Sequence, residues 1–149
     1  MQKSEILMAL VAALAVASPA FASLSFTDCS STYEVKRVEM GTCKQVPCPV
    51  LVEQEVNVTT TFYAKFPSSE LIPTALYYAI NTKFPATVGS YDPRDAANGG
   101  DTTQRANITV NPELPPVLGY LQWMLHNEKG ERVVCFRVDI LIYWYWPPR

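Results

Sequence analysis

Histidine, surplus charge of either sign, and long hydrophobic runs are all scarce in this chain. Twelve basic residues stand against 14 acidic ones, a net charge of −2, and no run of Lys or Arg occurs. Nucleic acid needs a basic surface, so it is not an expected partner. His126 is the single histidine. No G-x-S-x-G elbow accompanies it, and beside a turn its ordinary role is a surface or hairpin-capping one rather than a catalytic base. One histidine and the lack of paired CxxC motifs count against zinc. Asp92, Asp95, Asn98, Gly99 and Asp101 have the composition of a calcium loop but not EF-hand spacing, so the segment reads as a solvated loop. No enzyme, metal or cofactor is expected.

Only one long apolar run is present. Ile6 to Phe21 is apolar except for Ser18 and Pro19, and Pro19 breaks it after about a dozen residues, short of the roughly 20 that cross a bilayer. Lys3 precedes it, and Ala20 and Ala22 form an A-x-A site. Residues 1–22 therefore read as a secretory signal peptide cleaved after Ala22. Residues 23–149 suffice for one domain and not for two. Removing Lys3 and Glu5 leaves the net charge at −2.

All four cysteines, Cys29, Cys43, Cys48 and Cys135, lie beyond that site. An even number in an exported chain reads as two disulfides, with thiol catalysis excluded. Three pairings exist. Cys43 and Cys48 bracket a tight loop containing Pro47, which favours joining them and leaves Cys29 for Cys135. Asn57-Val58-Thr59 and Asn107-Ile108-Thr109 are glycosylation sequons. Val56, Val58, Phe62, Ala64 and Phe66 share one strand parity, so Asn57 points the other way, and Ala106, Ile108 and Val110 set Asn107 outward likewise.

Twelve prolines and many β-branched and aromatic residues oppose long helices. The expected strands are Tyr33–Met40 with a bulge at Lys36-Arg37, Val50–Phe66 split near Thr59–Thr61, Thr74–Lys83, Arg105–Val110, Val117–His126 and Glu131–Trp146. Asn127-Glu128-Lys129-Gly130 supplies a hairpin loop between the last two. In the final strand Val134, Phe136, Val138, Ile140 and Ile142 face one way, while Cys135, Arg137 and Asp139 take the polar side. The stretch between Phe84 and Arg105 reads as a long loop. Six or seven short strands suggest an all-β, immunoglobulin-like, two-sheet antiparallel β-sandwich. Trp123 shares its phase with Leu121 and Leu125, a core pattern. Tyr143-Trp144-Tyr145-Trp146 cannot all point inward, which leaves part of that cluster for a neighbouring loop, a membrane or a partner.

The order Phe26-Thr27-Asp28-Cys29, Cys43…Pro47-Cys48, Val56-Asn57-Val58-Thr59, Pro115, Trp123, Cys135 resembles the ML domain family (MD-2-related lipid recognition). Within that family it is similar to the Niemann-Pick type C sterol carriers of type two. The resemblance spans residues 23–149 and implies a sandwich with an apolar tunnel between its sheets, holding a sterol, a fatty acid or a similar lipid. It places the lipid-binding positions at Phe84, Val110 and Leu114, with Trp123 and Phe136 behind them. It also implies the bridges Cys29–Cys135 and Cys43–Cys48 and a glycan on Asn57. The expected protein is a secreted, extracellular or lysosomal monomer that hands its lipid to a membrane or a receptor. The alternative is an innate-immune recognition module or a carrier of apolar signals with the same fold, acting through a receptor. Sterol carriers have a third bridge in the loop after the Phe84 position and a proline-rich run before it. Here that loop has no cysteine, and Ile80-Asn81-Thr82-Lys83 replaces the run.

Overall fold

The computed structural model describes residues 23–94, 96–110 and 118–143, and these form nine strands. They are β1 (Thr27–Asp28), β2 (Glu34–Met40), β3 (Cys48–Leu51), β4 (Glu55–Ala64), β5 (Ile72–Ala79), β6 (Thr82–Tyr91), β7 (Gly100–Val110), β8 (Leu118–His126) and β9 (Arg132–Tyr143). Hydrogen bonding runs in the order β1-β9-β8-β5-β6-β7-β4-β2, with β3 added beside β9. The sheet folds back on itself into a cup, so that β5, β8 and β9 form one half and β2, β4 and β7 the other. This is the immunoglobulin-like β-sandwich expected from the sequence.

The hinge between the halves is β6. Its first half pairs with β5, from Ala79↔Thr82 to Ala75↔Ala86. From Ala86 onward it pairs with β7, through Ala86↔Val110 and Val88↔Ile108. Sequence reasoning placed a loop here. The strand was hidden because its inward positions, Phe84, Ala86 and Val88, are only half-buried and alternate with Pro85 and Gly89. The expected Thr74–Lys83 strand is likewise corrected. It ends at Ala79, and Ile80 and Asn81 turn the chain at φ values of 50° and 56°. Two successive left-handed residues make a hairpin turn whose twist matches the strands on either side.

The strand expected over Val50–Phe66 does divide, but at residues 52–54 rather than at Thr59–Thr61. β4 runs unbroken through the threonines because each pairs with β7, including Thr60↔Gln104 and Thr61↔Thr103. The segment before the break, β3, lies parallel to β9 with Cys48 opposite Ile140, the one parallel pairing among the described residues. The bulge expected in β2 is present, between Val35 and Arg37. The β8–β9 hairpin is closed as expected, with the Asn127 side chain accepting from the backbone N–H groups of Lys129 and Glu131 at 3.1 and 2.9 Å.

Both disulfides join the partners expected, Cys29–Cys135 and Cys43–Cys48. Cys135, placed on the polar side by its parity, is nonetheless fully buried. The reason is that the chain leaving β1 folds over it. The Ser31 hydroxyl donates to the Cys135 carbonyl at 2.9 Å and accepts from its N–H at 2.8 Å, and the Cys29 N–H reaches the same carbonyl. Close by, Tyr33 donates its N–H to the Val133 carbonyl, stacks on Phe62 at 5.7 Å and meets Phe66 edge-on at 5.0 Å. Its hydroxyl donates to the Phe66 carbonyl and also bonds Ser68, and burial pushes its pKa up.

Candidate functional site

The inward side chains of both halves merge into one apolar cluster. Its register is informative. Phe136 pairs with Trp123, Trp123 with Ala75, Ala75 with Ala86, and Ala86 with Val110. A single cross-strand row therefore crosses β9, β8, β5, β6 and β7, and it carries three of the positions singled out in the sequence. Trp123, Phe136 and Val110 are all essentially inaccessible. Two alanines sit between the large side chains, where the sheet bends from one half to the other.

The next row joins Val138, Leu121, Tyr77 and Phe84. Phe84 stacks on Tyr77 with centroids 6.2 Å apart and stays half-buried, so it lies where the apolar interior meets solvent. Leu114 lies outside the described residues, as do Asp95, Trp144, Tyr145, Trp146 and the segment read as a signal peptide. The structure thus brings Phe84, Val110, Trp123 and Phe136 into two adjacent rows of one interior. Tyr77, Ala75 and Ala86 belong with them. Sequence reasoning missed these three because Tyr77 follows a broken alternation and alanine carries no apolar emphasis.

Gly119 shapes the same interior. A methyl group on its Cα would stand 2.0 Å from the Tyr78 carbonyl oxygen and 3.0 Å from the Tyr77 ring. Only glycine lets β8 and β5 approach this closely while Tyr77 lies across the cup.

Three buried polar atoms in the two halves make no hydrogen bond: Thr60 Oγ1, Gln104 Oε1 and Trp123 Nε1. Thr60 and Gln104 are direct cross-strand neighbours on the inner face of β4 and β7. None of the buried polar side chains among the described residues carries a charge.

Outside the cup, the polar and apolar surfaces separate. A cavity of about 650 Å³ bounded by Thr42, Lys44, Gln54, Glu55, Asn57 and Tyr143 opens at the start of β4. Met40, Pro49, Leu51 and Val56 complete its walls, so the lining is part polar and part apolar. On the outer face of β8 and β9, Leu118 stands directly opposite Leu141, and Leu118 is 60% exposed. Ile80 and Tyr143 are also exposed. Tyr120 stacks on Tyr78 at 4.8 Å and lies under the Arg137 guanidinium at 4.9 Å. His126 ends β8 beside the hairpin loop, and burial holds its pKa below the ordinary value, with Arg132 adding to the effect. In the loop before β7, the Asp92 carboxylate accepts from the Arg94 N–H, and at the start of β7 Asp101 pairs with Lys36 at 2.9 Å.

A nine-stranded, cystine-braced cup with an apolar interior defines a class of small β-sandwich domains. The model of one such family, the ML domain, matches residues 23–142, and the chain belongs to that family, whose members are lipid-binding domains rather than enzymes. Among solved structures, a Niemann-Pick type C2 protein from the Japanese carpenter ant superposes with a TM-score of 0.62 at 16% identity, covering 80% of this chain and 99% of that one. A family 123 glycoside hydrolase from Clostridium perfringens matches 67% of this chain and 23% of its own at 8% identity. Its TM-score of 0.43 gives it no bearing on function. A search of curated protein sequences returns no match.

Proposed function

We propose that this protein is a secreted carrier that holds a sterol, a fatty acid or a similar lipid between the two halves of its cup. The observation that supports this reading most is the pair of register rows. Phe136, Trp123, Val110 and Phe84 converge on one apolar interior, with alanines at the bend and Phe84 at the edge open to solvent. A lipid entering beside Phe84 leaves water and supplies dispersion contacts to that lining. For a sterol of about 28 heavy atoms, roughly −0.3 kcal/mol per atom gives about −8 kcal/mol, near micromolar affinity. Leu114 is assigned to the same lining. Export rests on residues 1–22, on the two disulfides and on the sequons at Asn57 and Asn107, which are assigned as glycosylated. Delivery to lysosomes is compatible with the same features.

The test is native mass spectrometry of the full chain secreted from eukaryotic cells, followed by lipid extraction. A sterol or fatty acid at near-unit stoichiometry is expected. Phe84→Ala should weaken uptake of a fluorescent sterol or fatty acid while leaving the unfolding midpoint nearly unchanged, because Phe84 is only half-buried. An empty protein that takes up neither probe would remove the carrier reading. A second reading, recognition through a receptor, draws on the exposed Leu118–Leu141 pair and Tyr143. It predicts a partner that is lost when those residues are made polar.

A further inference from the structure

We infer that the cavity at the start of β4 is a berth for the first sugars of a glycan on Asn57. This rests on the sequon being used, as assigned above, and adds the place where the sugar lies.

Asn57 and Asn107 are direct cross-strand partners on the outer face, so their Cβ atoms stand about 4.5–5.5 Å apart. Bulky chains leaving so close a pair must turn away from each other. The structure leaves one bare flank on each side. Beside Asn107, on β6, is Gly89, in the bulge between Val88 and Tyr91. Its φ lies outside the left-handed range, and a methyl group on it would meet the Asn107 Cβ at an ordinary 3.6 Å. The bare fold therefore does not demand glycine there, whereas a strand glycine suits a place where something bulky passes close to the backbone. Beside Asn57 is Gly41, whose N–H donates to the Asn57 carbonyl at 2.7 Å. Gly41 owes its identity to a φ of 52°, and it also leaves the side toward the cavity open. The four residues make one row, Gly41, Asn57, Asn107 and Gly89, without side chains at either end.

The two flanks differ in what lies beyond them. Asn57 is itself on the wall of the cavity, whose volume of about 650 Å³ falls within the roughly 300–1,000 Å³ of small-ligand sites. Lys44, Gln54 and Glu55 bring polar ends to it, and Pro49, Val56 and Tyr143 bring apolar surface. Lys44 and Glu55 enter no hydrogen bond or ion pair among the described residues. This mixture fits a pyranose, whose hydroxyls donate and accept while its C–H face packs on carbon. The covalent tether holds the sugar at an effective concentration of about millimolar, so weak contacts suffice to seat it.

The test is timed release of both glycans by peptide-N-glycosidase F from the folded, full-length secreted protein. Mass spectrometry of the peptides counts the aspartate that release leaves at each site. In the bare protein Asn57 is exposed and Asn107 half-buried, so accessibility alone has the Asn57 glycan released first. The berth reverses that order. Release at Asn57 should be about tenfold slower than at Asn107, the worth of one or two net hydrogen bonds, and equal to it after denaturation. Lys44→Ala combined with Glu55→Ala should speed release at Asn57 alone. Both side chains are exposed, so the unfolding midpoint should not move. Thr109→Ala, which removes the second sequon, should leave Asn57 protected.

Release at Asn57 as fast as at Asn107 would overturn the inference while leaving the glycan assignment intact. Unaltered release in the double variant would do the same. So would loss of protection in Thr109→Ala, which would trace it to crowding by the neighbouring glycan. Where Asn107 carries no glycan, the double variant alone decides. An Asn57 peptide without a glycan would overturn both the inference and the assignment, leaving the carrier reading to its own test.

Discussion

In the β2–β4–β7 half, the outer face carries Asn57, Thr59, Thr61, Thr103 and Asn107, and the inner face buries Thr60 and Gln104 beside Val58, Phe62 and Ile108. In the β5–β8–β9 half, the outer face carries Tyr78, Leu118, Tyr120, Leu141 and Tyr143, and the inner face is aromatic and aliphatic, with Trp123, Phe136 and Leu121. One half places polar groups where apolar ones are usual, and the other does the reverse. Alternation follows from this contrast. β4 and β7 alternate cleanly because water covers one of their faces. β8 is buried from Leu121 through Leu125, because Gln122 and Met124 are covered on the outside as well. The Arg137 guanidinium helps to cover them, donating to the Gln122 side-chain oxygen at 3.1 Å.

The largest expected blow to the β5–β8–β9 half is loss of the long disulfide, which spans 106 residues. Replacing Cys29 and Cys135 by serine should cost about 4–5 kcal/mol on the chain-entropy model, against about 2 kcal/mol for the short Cys43–Cys48 bridge. Denaturant unfolding of the two double variants measures the ratio directly, and equal costs would show that the end-to-end tie is not what holds this half. Gly119→Ala comes next. Its methyl would collide with the Tyr78 carbonyl, and forcing β8 away from β5 should cost about 3 kcal/mol, read as a lowered urea midpoint at unchanged slope. A comparable variant on the polar outer face, Thr61→Ala, should stay within about 0.5 kcal/mol of wild type.

Smaller effects sharpen the contrast. Ile80 holds a left-handed conformation at 73% exposure, so Ile80→Asn should stabilise the turn by about 1 kcal/mol, seen as a raised melting temperature. Acidification should weaken the β5–β8–β9 half slightly through His126. Its folded pKa lies below its unfolded one, so the unfolded chain takes up the proton first, and stability falls as pH drops through the ordinary histidine range toward the folded value. His126→Gln should flatten that slope in a series of melting curves between pH 7 and pH 5.

How far the sequence revealed all this differs between the same two halves. Asn57 and Asn107 could be set outward from parity alone, and the structure pairs them directly with each other. β9 was also legible, since its five inward residues are all buried. Parity misled at Cys135 and its same-face neighbour Val133, where the distant segment from Cys29 to Tyr33 lies against the strand. β6 was invisible because a strand that changes partners halfway along buries neither face fully. The site was legible as a list of apolar positions, but their common row was not, because it depends on Ala75 and Ala86 bringing β5 and β6 into register. The unpaired polar atoms were beyond reach too, since threonine and glutamine inside a strand look like solvent-facing residues until the other face is seen to be the wet one.

The place of β9 has a consequence for how the chain is made. It pairs with β8 on one side and with both β1 and β3 on the other, and it holds Cys135. Strands made early must therefore wait for one made late. During synthesis Cys43 and Cys48 can meet as soon as their loop emerges, whereas Cys29 stays without its partner until nearly all the described chain has been produced. Closing so distant a pairing is slow, and the apolar faces of β3 and β8 stay uncovered meanwhile. A break anywhere within β9 would leave β1 and β3 without a neighbour, β8 with β5 alone and one cysteine free, so the maturation of this protein hangs on its last described strand.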